Sequence, residues 1–354
     1  MPSDELTTLL SILLSHGASR RLIRRVVYDT WRERGTLVDA AARLKADFGV
    51  DPPTARCVGD ERRVLDRLGV VVVRGDSAEF SALLASAPDP PIALFVKGRA
   101  SSLTQPLSVA VVGSRRASPP GRGFARTLAA DLGRAGAVIV SGLAIGIDGS
   151  AHRGALDVGS LTVAVIGGGH ARIYPSSHRD LASEIAMAGG AVVSEYPPSA
   201  APRRANFPER NRIISGLCAG VVVVEATNRS GTLITARMAL EQGREVMAVP
   251  GSVADGMHGG CHRLIKQGAA LIESVGDVLE VFGLAASPQR ELPMPPDESL
   301  SRVLAAVPNR VATLAEIVAT LALPVDAVLG ALVELEIEGF VEAHHGGYIR
   351  RPPS

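Results

Sequence analysis

Lysine is nearly missing from this 354-residue chain: Lys45, Lys97 and Lys266 are the only three. No G-x-x-x-x-G-K-[ST] pattern occurs, so a P-loop ATPase, which needs that lysine on its phosphates, is excluded. Cysteine is limited to Cys57, Cys218 and Cys261, widely spaced and odd in number. That excludes a disulfide framework and points to a reducing compartment. No apolar run is long enough to span a bilayer. The opening MPSDELTTLLSILLSHG starts acidic and lacks a basic n-region, so it does not read as a signal peptide and the cytoplasm is the expected location. Net charge is only +1, which excludes a global basic field. Any anion site must therefore be local, and built from arginine. Aromatics are scarce at 3%, so each one in a loop stands out.

What is present is an ordinary globular composition, 46% hydrophobic and 21% charged, in a length that predicts two or three domains. Residues 1–68 read as short helices of the SAM-like or helix-hairpin-helix kind. Leu6, Leu9, Leu10, Leu13 and Leu14 recur at helical spacing, and Ser19 caps a second helix whose apolar face is Leu22, Val26 and Val27. Its basic run, Arg20, Arg21, Arg24 and Arg25, reads as a solvated face, with contact to DNA as the lesser alternative. Residues 69–285 alternate amphipathic helices with β-branched runs: VAVVG, AVIVSG, LTVAVIGG, GAVVSE, AGVVVVEA, EVMAVPG and AALIES. Such runs without polar alternation suit a parallel sheet covered on both faces, hence an α/β, Rossmann-like, doubly wound fold. Residues 286–298 read as a Pro-rich linker. Residues 299–354 give three helices and a hairpin, FVEAHHGGYIR, with Gly346 and Gly347 at its turn, which suits a winged helix. The third helix is acidic where a DNA-reading helix carries Arg or Lys, so a structural or protein-binding role is expected for it.

The informative loops follow the strands. Gly113, Ser114, Arg115 and Arg116 follow the first, Ser141 and Gly142 the second, and Ser230, Gly231 and Thr232 a later one. In an open α/β sheet these turns share the carboxyl edge, where small residues and helix starts receive anions. The segment PRRANFPERNRIISG adds Arg203, Arg204, Arg210 and Arg212, with Asn211 between the last two. Together with Arg115, Arg116, Arg122 and Arg126 these predict a positive track of the kind that binds a nucleic-acid backbone. Phe207 and Tyr174 are candidates for base stacking, with a hydrophobic plug as the equal alternative for Phe207.

Other chemistry is weaker. Gly167-Gly168-Gly169 lacks the full dinucleotide fingerprint, and Glu195 is only loosely placed as its acid. His258, Cys261 and His262 have no complementary pair, so no metal is expected. Asp148 and His152 read as a capping carboxylate and a packed imidazole. No nucleophile–base–orienter set is visible, so no catalytic residues are assigned.

These loops, in their order, resemble the DprA/Smf family. The likeness runs from VAVVGSRRASPPGRG through IVSGLAIGIDGSAHRGAL, SEYPP, NFPERNRIISGL and VVVVEATNRSGTLITARMALEQGREVMAVPG to LIKQGA. The resemblance implies a mediator that binds and protects incoming single-stranded DNA in natural transformation and loads RecA recombinase on it. It also implies a homodimer joined through the Rossmann-like domain, with no cofactor and no membrane. Gly113, Ser114 and Arg115 match the family's phosphate-binding loop; Ser141 and Gly142, Arg210 to Arg212, and Ser230 to Thr232 match its neighbours. Where the family carries a Lys and then an Asn after Tyr-Pro, this chain has Ser176, Ser177 and His178, leaving Arg172 or Arg179 to supply the cation. Two other readings stay open: a nucleotide- or sugar-phosphate-processing enzyme using Asp148 or Glu225, and a winged helix that binds duplex DNA.

Overall fold

A computed structural model describes residues 3–284 and 298–351, apart from His16, Asp255, Asn309, Ala322 and His345. Most of the expected 286–298 linker lies outside the described residues. Two compact units divide at residue 285.

The first unit opens with four helices, α1 (Ser3–Leu14), α2 (Arg20–Arg32), α3 (Leu37–Phe48) and α4 (Ala55–Leu68). Ser19 caps α2, accepting from the Leu22 amide at 3.2 Å. Next come β1 (Val70–Arg74), α5 (Ala82–Ala85), β2 (Ala93–Gly98), β3 (Ser108–Val112), α6 (Pro119–Arg134), β4 (Val138–Ser141) and α7 (Ile147–Asp157). They are followed by β5 (Thr162–Val165), α8 (Arg179–Met187), β6 (Ala191–Ser194), α9 (Asn206–Gly216), β7 (Gly220–Val223) and α10 (Thr232–Glu241). β8 (Glu245–Ala248), α11 (Gly259–Lys266), β9 (Ala270–Leu271) and α12 (Val275–Val281) complete the unit.

The sheet has nine strands in the order β1-β2-β6-β5-β4-β3-β7-β8-β9. The seven strands read from the β-branched runs are parallel, and β1 and β2, outside that set, add an antiparallel extension beside β6. Alternate residues of each strand face opposite helical layers, as the pleat requires. Val138, Val140, Val221 and Val223 pack with Ile213 and Ile214 of α9 and Ala236 and Ala239 of α10. Val109, Val111, Ile139 and Val222 pack with Leu128 and Leu132 of α6 and Ala151 and Ala155 of α7. Each fully buried Val or Leu contributes about 1.5–3 kcal/mol relative to exposure, so this double burial explains why the strands carry no polar alternation. Strand order reverses between β3 and β7, opening a crevice outside their carboxyl ends.

The N-terminal helices share their cores with the sheet. Leu9, Ile23, Val27 and Leu44 pack with Ile92 and Ala93, and Leu10, Val58 and Leu65 with Val70 and Phe95. The basic run of α2 departs from the solvated reading at Arg24, which is buried.

The second unit holds α13 (Glu298–Ala306), α14 (Leu314–Leu321), α15 (Val325–Ile337) and a hairpin of β10 (Val341–His344) and β11 (Gly347–Arg350). His344 pairs with Gly347, which therefore starts β11 rather than lying in the turn. The core is Leu300, Val303, Leu304, Ile317, Val328, Leu332, Leu335 and Val341. The outer face of α15 exposes Val325, Leu329, Val333 and Ile337. Among the described residues no single helix is long and apolar enough to cross a membrane.

Candidate nucleic-acid interface

Three βα loops meet at the crevice, held by hydrogen bonds and close backbone approach. The Thr232 hydroxyl, at the start of α10, donates to the Gly113 carbonyl at 3.0 Å and ties the β7–α10 loop across the reversal point. Ser230 accepts from the Thr232 amide at 3.2 Å, while Gly231 stands exposed with open space around it. Gly146 takes φ +84°, and a Cβ there would lie 2.3 Å from the Ser114 carbonyl. The β4–α7 loop thus lies directly on the β3–α6 loop. Ser114 accepts from the Arg116 amide at 3.1 Å, turning Arg115 and Arg116 outward into solvent.

Beneath the loops sits a buried pair. Arg210 of α9 donates through Nη1 to the carbonyls of Gly142, at 2.8 Å, and of Val165. The Asp148 carboxylate accepts from the amides of Gly142 at 3.1 Å and Ala144 at 3.4 Å. Gly142 separates them: a Cβ there would sit 2.7 Å from Asp148 Oδ2 and 2.8 Å from Arg210 Nη2. Burial pulls the guanidinium down and pushes the carboxyl up, each opposed by the other's charge. Arg210 is therefore a clamp under the pocket, not a surface cation. Ser141 is likewise buried, its hydroxyl donating to Val111 at 2.7 Å.

The aromatic candidates come together. The rings of Tyr174 and Phe207 are 5.5 Å apart, and the Arg115 guanidinium lies 5.4 Å from the Phe207 centroid. Tyr174 is half-exposed. The Phe207 ring packs on Gly167, where a Cβ would meet it at 2.9 Å, as the plug reading expects, and it also carries Arg115. The triple glycine is explained by close backbone approach: at Gly169 a Cβ would fall 2.2 Å from the Pro198 carbonyl. His178 hydrogen-bonds the Leu143 carbonyl through Nδ1 at 3.0 Å, fixing the Tyr174–His178 segment to the second loop. Arg203, Arg204, Arg172 and Arg179 are exposed, and Asn211 is half-buried.

The expected track loses three of its members. Arg212 is buried, bonded to Glu195 and to the Asp89 carbonyl at 2.6 Å. Arg126 chelates Asp157 at 2.5 and 2.9 Å, two turns along α6. Arg210 is the third. Arg122 spends one N–H on the Ala117 carbonyl at 2.6 Å. Glu195 is no ribose ligand either, because it lies in a network that single-residue reading missed. Arg24 of α2 bonds Asp89 through two N–H groups at 2.8 Å, and Glu195 and Glu209 at 3.1 Å each. Tyr196 donates its hydroxyl to Glu209 at 3.0 Å, and Arg20 lies 4.5 Å over the Tyr196 ring. Glu61 of α4 accepts from the Ser199 amide at 2.8 Å. The signal for this network was an arginine too many on an amphipathic helix face.

The remaining carboxylates are occupied. Glu225 accepts from the Ser118 amide at 3.0 Å and from its hydroxyl, anchoring the N-cap of α6. His152 donates through Nδ1 to Thr162 at 2.7 Å, since the Thr162 hydroxyl hydrogen is directed to the Ile139 carbonyl at 2.8 Å. The Cys261 thiol faces the carbonyls of Val223 and Val224, and burial lifts it to about 11.

Comparison with known proteins gives these features a family. The family described as DNA recombination-mediator protein A matches residues 71–283, and the DprA winged helix domain matches 287–347. Protein Smf of Escherichia coli is 42% identical over 79% of this chain and 77% of its own. DNA processing protein DprA of Streptococcus pneumoniae is 48% identical over 55% of this chain and 68% of its own. A solved structure of the S. pneumoniae protein superimposes with TM-score 0.66 at 36% identity, covering 77% of this chain and 97% of that one. The Helicobacter pylori protein, whose structure concerns its single-stranded DNA binding mode, gives 0.53 at 30% identity over 57% of this chain and 92% of its own. With a match over most of the chain and the same α/β sheet, this chain belongs to the DprA/Smf family of DNA recombination mediators.

Proposed function

We propose that this chain binds single-stranded DNA along the carboxyl edge of its sheet, protects incoming strands in natural transformation and loads RecA recombinase on them. It works in the cytoplasm as a homodimer joined through the Rossmann-like domain, and serves recombinational repair as well. Residues 1–68, 69–285 and 299–354 act as its helical, DNA-binding and winged-helix domains, joined through 286–298. The observation that carries the reading is the group at the crevice: Arg115 over Phe207, Phe207 beside Tyr174, and exposed Arg116, Arg203 and Arg204 around them. Arginines neutralise phosphates without regard to sequence, and aromatic faces accept any base. We read it as a binding protein and not an enzyme, because Glu225 and Asp148 are committed to backbone amides.

The test is binding of the purified chain to a labelled oligo-dT over a salt series. Affinity should fall steeply with salt, and Arg115→Ala should weaken binding to all sequences alike while leaving the melting temperature unchanged. Unchanged binding by that variant would remove the pocket assignment.

A further inference from the structure

We propose that the bound strand does not stop at the crevice but continues along the sheet edge to β6 and onto the first turn of α2, where Arg20 and Arg21 take its phosphates. This rests on the reading of the edge as a single-strand site and lengthens its footprint.

The path is a line of side-chain contacts. Arg115 stands at the β3 end, over Phe207 in the first turn of α9. Glu209, two residues on, accepts from Tyr196 just past the end of β6, and Arg20 covers the Tyr196 ring at 4.5 Å. Between the two ring-held arginines lies the start of α9, preceded by exposed Arg203 and Arg204. A strand crossing the amino end of α9 therefore meets cations on both sides. The first two of these contacts join elements at the carboxyl ends of β3 and β6, the edge on which open α/β sheets bind ligands, and the third brings the start of α2 onto that edge.

Arg20 is built as a donor more than as a counter-ion. No ion pair to Arg20 or Arg21 occurs among the described residues. A guanidinium lying on an aromatic ring is oriented before binding, and its N–H fork remains available to a phosphate. The carboxylates facing this point, Glu195, Glu209 and Asp89, are already bonded by Arg24 and Arg212. Three carboxylates against two guanidinium groups leave one negative charge, and Arg20 and Arg21 together exceed it by one. The first turn of α2 contains no acid, so two cations sit at the helix end that the macrodipole makes positive. That placement is unfavourable in isolation and favourable with a phosphate present.

The experiment compares the full chain with Arg20→Gln/Arg21→Gln on an oligo-dT length series from about six to about thirty nucleotides, a span bracketing common site sizes. The shortest should bind both proteins equally. Above a threshold length the variant should fall behind, to about 5–10-fold weaker at low salt, with a salt slope reduced by about 1.4 for two lost contacts. Equal affinities and slopes at every length overturn the proposal. So does an equal loss at every length, which would mean that Arg20 acts only by holding Tyr196 in place. Arg115→Ala measured alongside separates the two readings: it should weaken every length, and full binding by that variant removes the crevice itself.

Discussion

The guanidinium of Arg115 and the ring of Phe207 face each other at 5.4 Å, a cation and a stacking surface in one contact. On the proposed reading, removing the ring removes both a base platform and the rest on which the cation is held. Phe207→Leu should cost about 1–3 kcal/mol of single-strand affinity, with Phe207→Tyr close to the native protein. Fluorescence anisotropy with labelled oligo-dT reads the difference, and a Leu variant that binds normally would leave the ring only its packing against Gly167.

Arg24 holds three carboxylates, one of them the buried Glu195. Arg24→Ala leaves that charge with Arg212 alone and should cost about 3–5 kcal/mol of stability. Urea denaturation measures it. The double variant Arg24→Met/Glu195→Gln should recover much of the loss; an unrecovered double variant would mean that packing rather than charge is what Arg24 supplies.

Two buried imidazoles make stability depend on pH. Burial holds His152 down to about 3 and His170 down to about 4, from an ordinary 6.5. The unfolded chain takes up both protons near the ordinary value and the folded chain does not. Their contribution is therefore complete above pH 6.5 and drains away as pH falls towards 4, at about 1.4 kcal/mol per unit for each ring. Urea denaturation should show roughly 4 kcal/mol lost between about pH 7 and pH 5. His170→Gln, which keeps a donor for the Val192 carbonyl, should halve that slope. A flat profile would contradict the burial of both rings.

Glycines of the same loop system should respond oppositely. At Gly169 a Cβ would lie 2.2 and 2.3 Å from two proline carbonyls, so Gly169→Ala should cost about 1–3 kcal/mol. At Gly231 nothing lies within 4 Å, and Gly231→Ala should stay within about 0.5 kcal/mol. Thermal melts of the pair check this; equal melts would mean that residues 197–202 yield at no cost.

The parallel sheet was legible because a strand buried on both faces must be apolar, and β3 to β8 are, but for Ser, Thr or Glu at their ends. The antiparallel strands were not singled out, although GVVVVR and IALFVKG are equally apolar, because pairing direction is set by a partner far along the chain. Charge was the harder signal. A sequence displays an arginine but not its counter-ion: those of Arg24 stand 65, 171 and 185 residues away. Arg210 and Arg212 were therefore counted with the surface cations, whereas Arg115 and Arg116, on a tight turn after a strand, point outward as expected.

The two ends of the nine-stranded ladder are built unalike. β9 contributes only two residues, and β1 ends at Arg74, whose guanidinium pairs with Glu5 of α1 and with Asp76. A brief strand and a charge-tied one are poor templates for a further chain. An open sheet of this width thereby resists edge-to-edge pairing with further copies of itself.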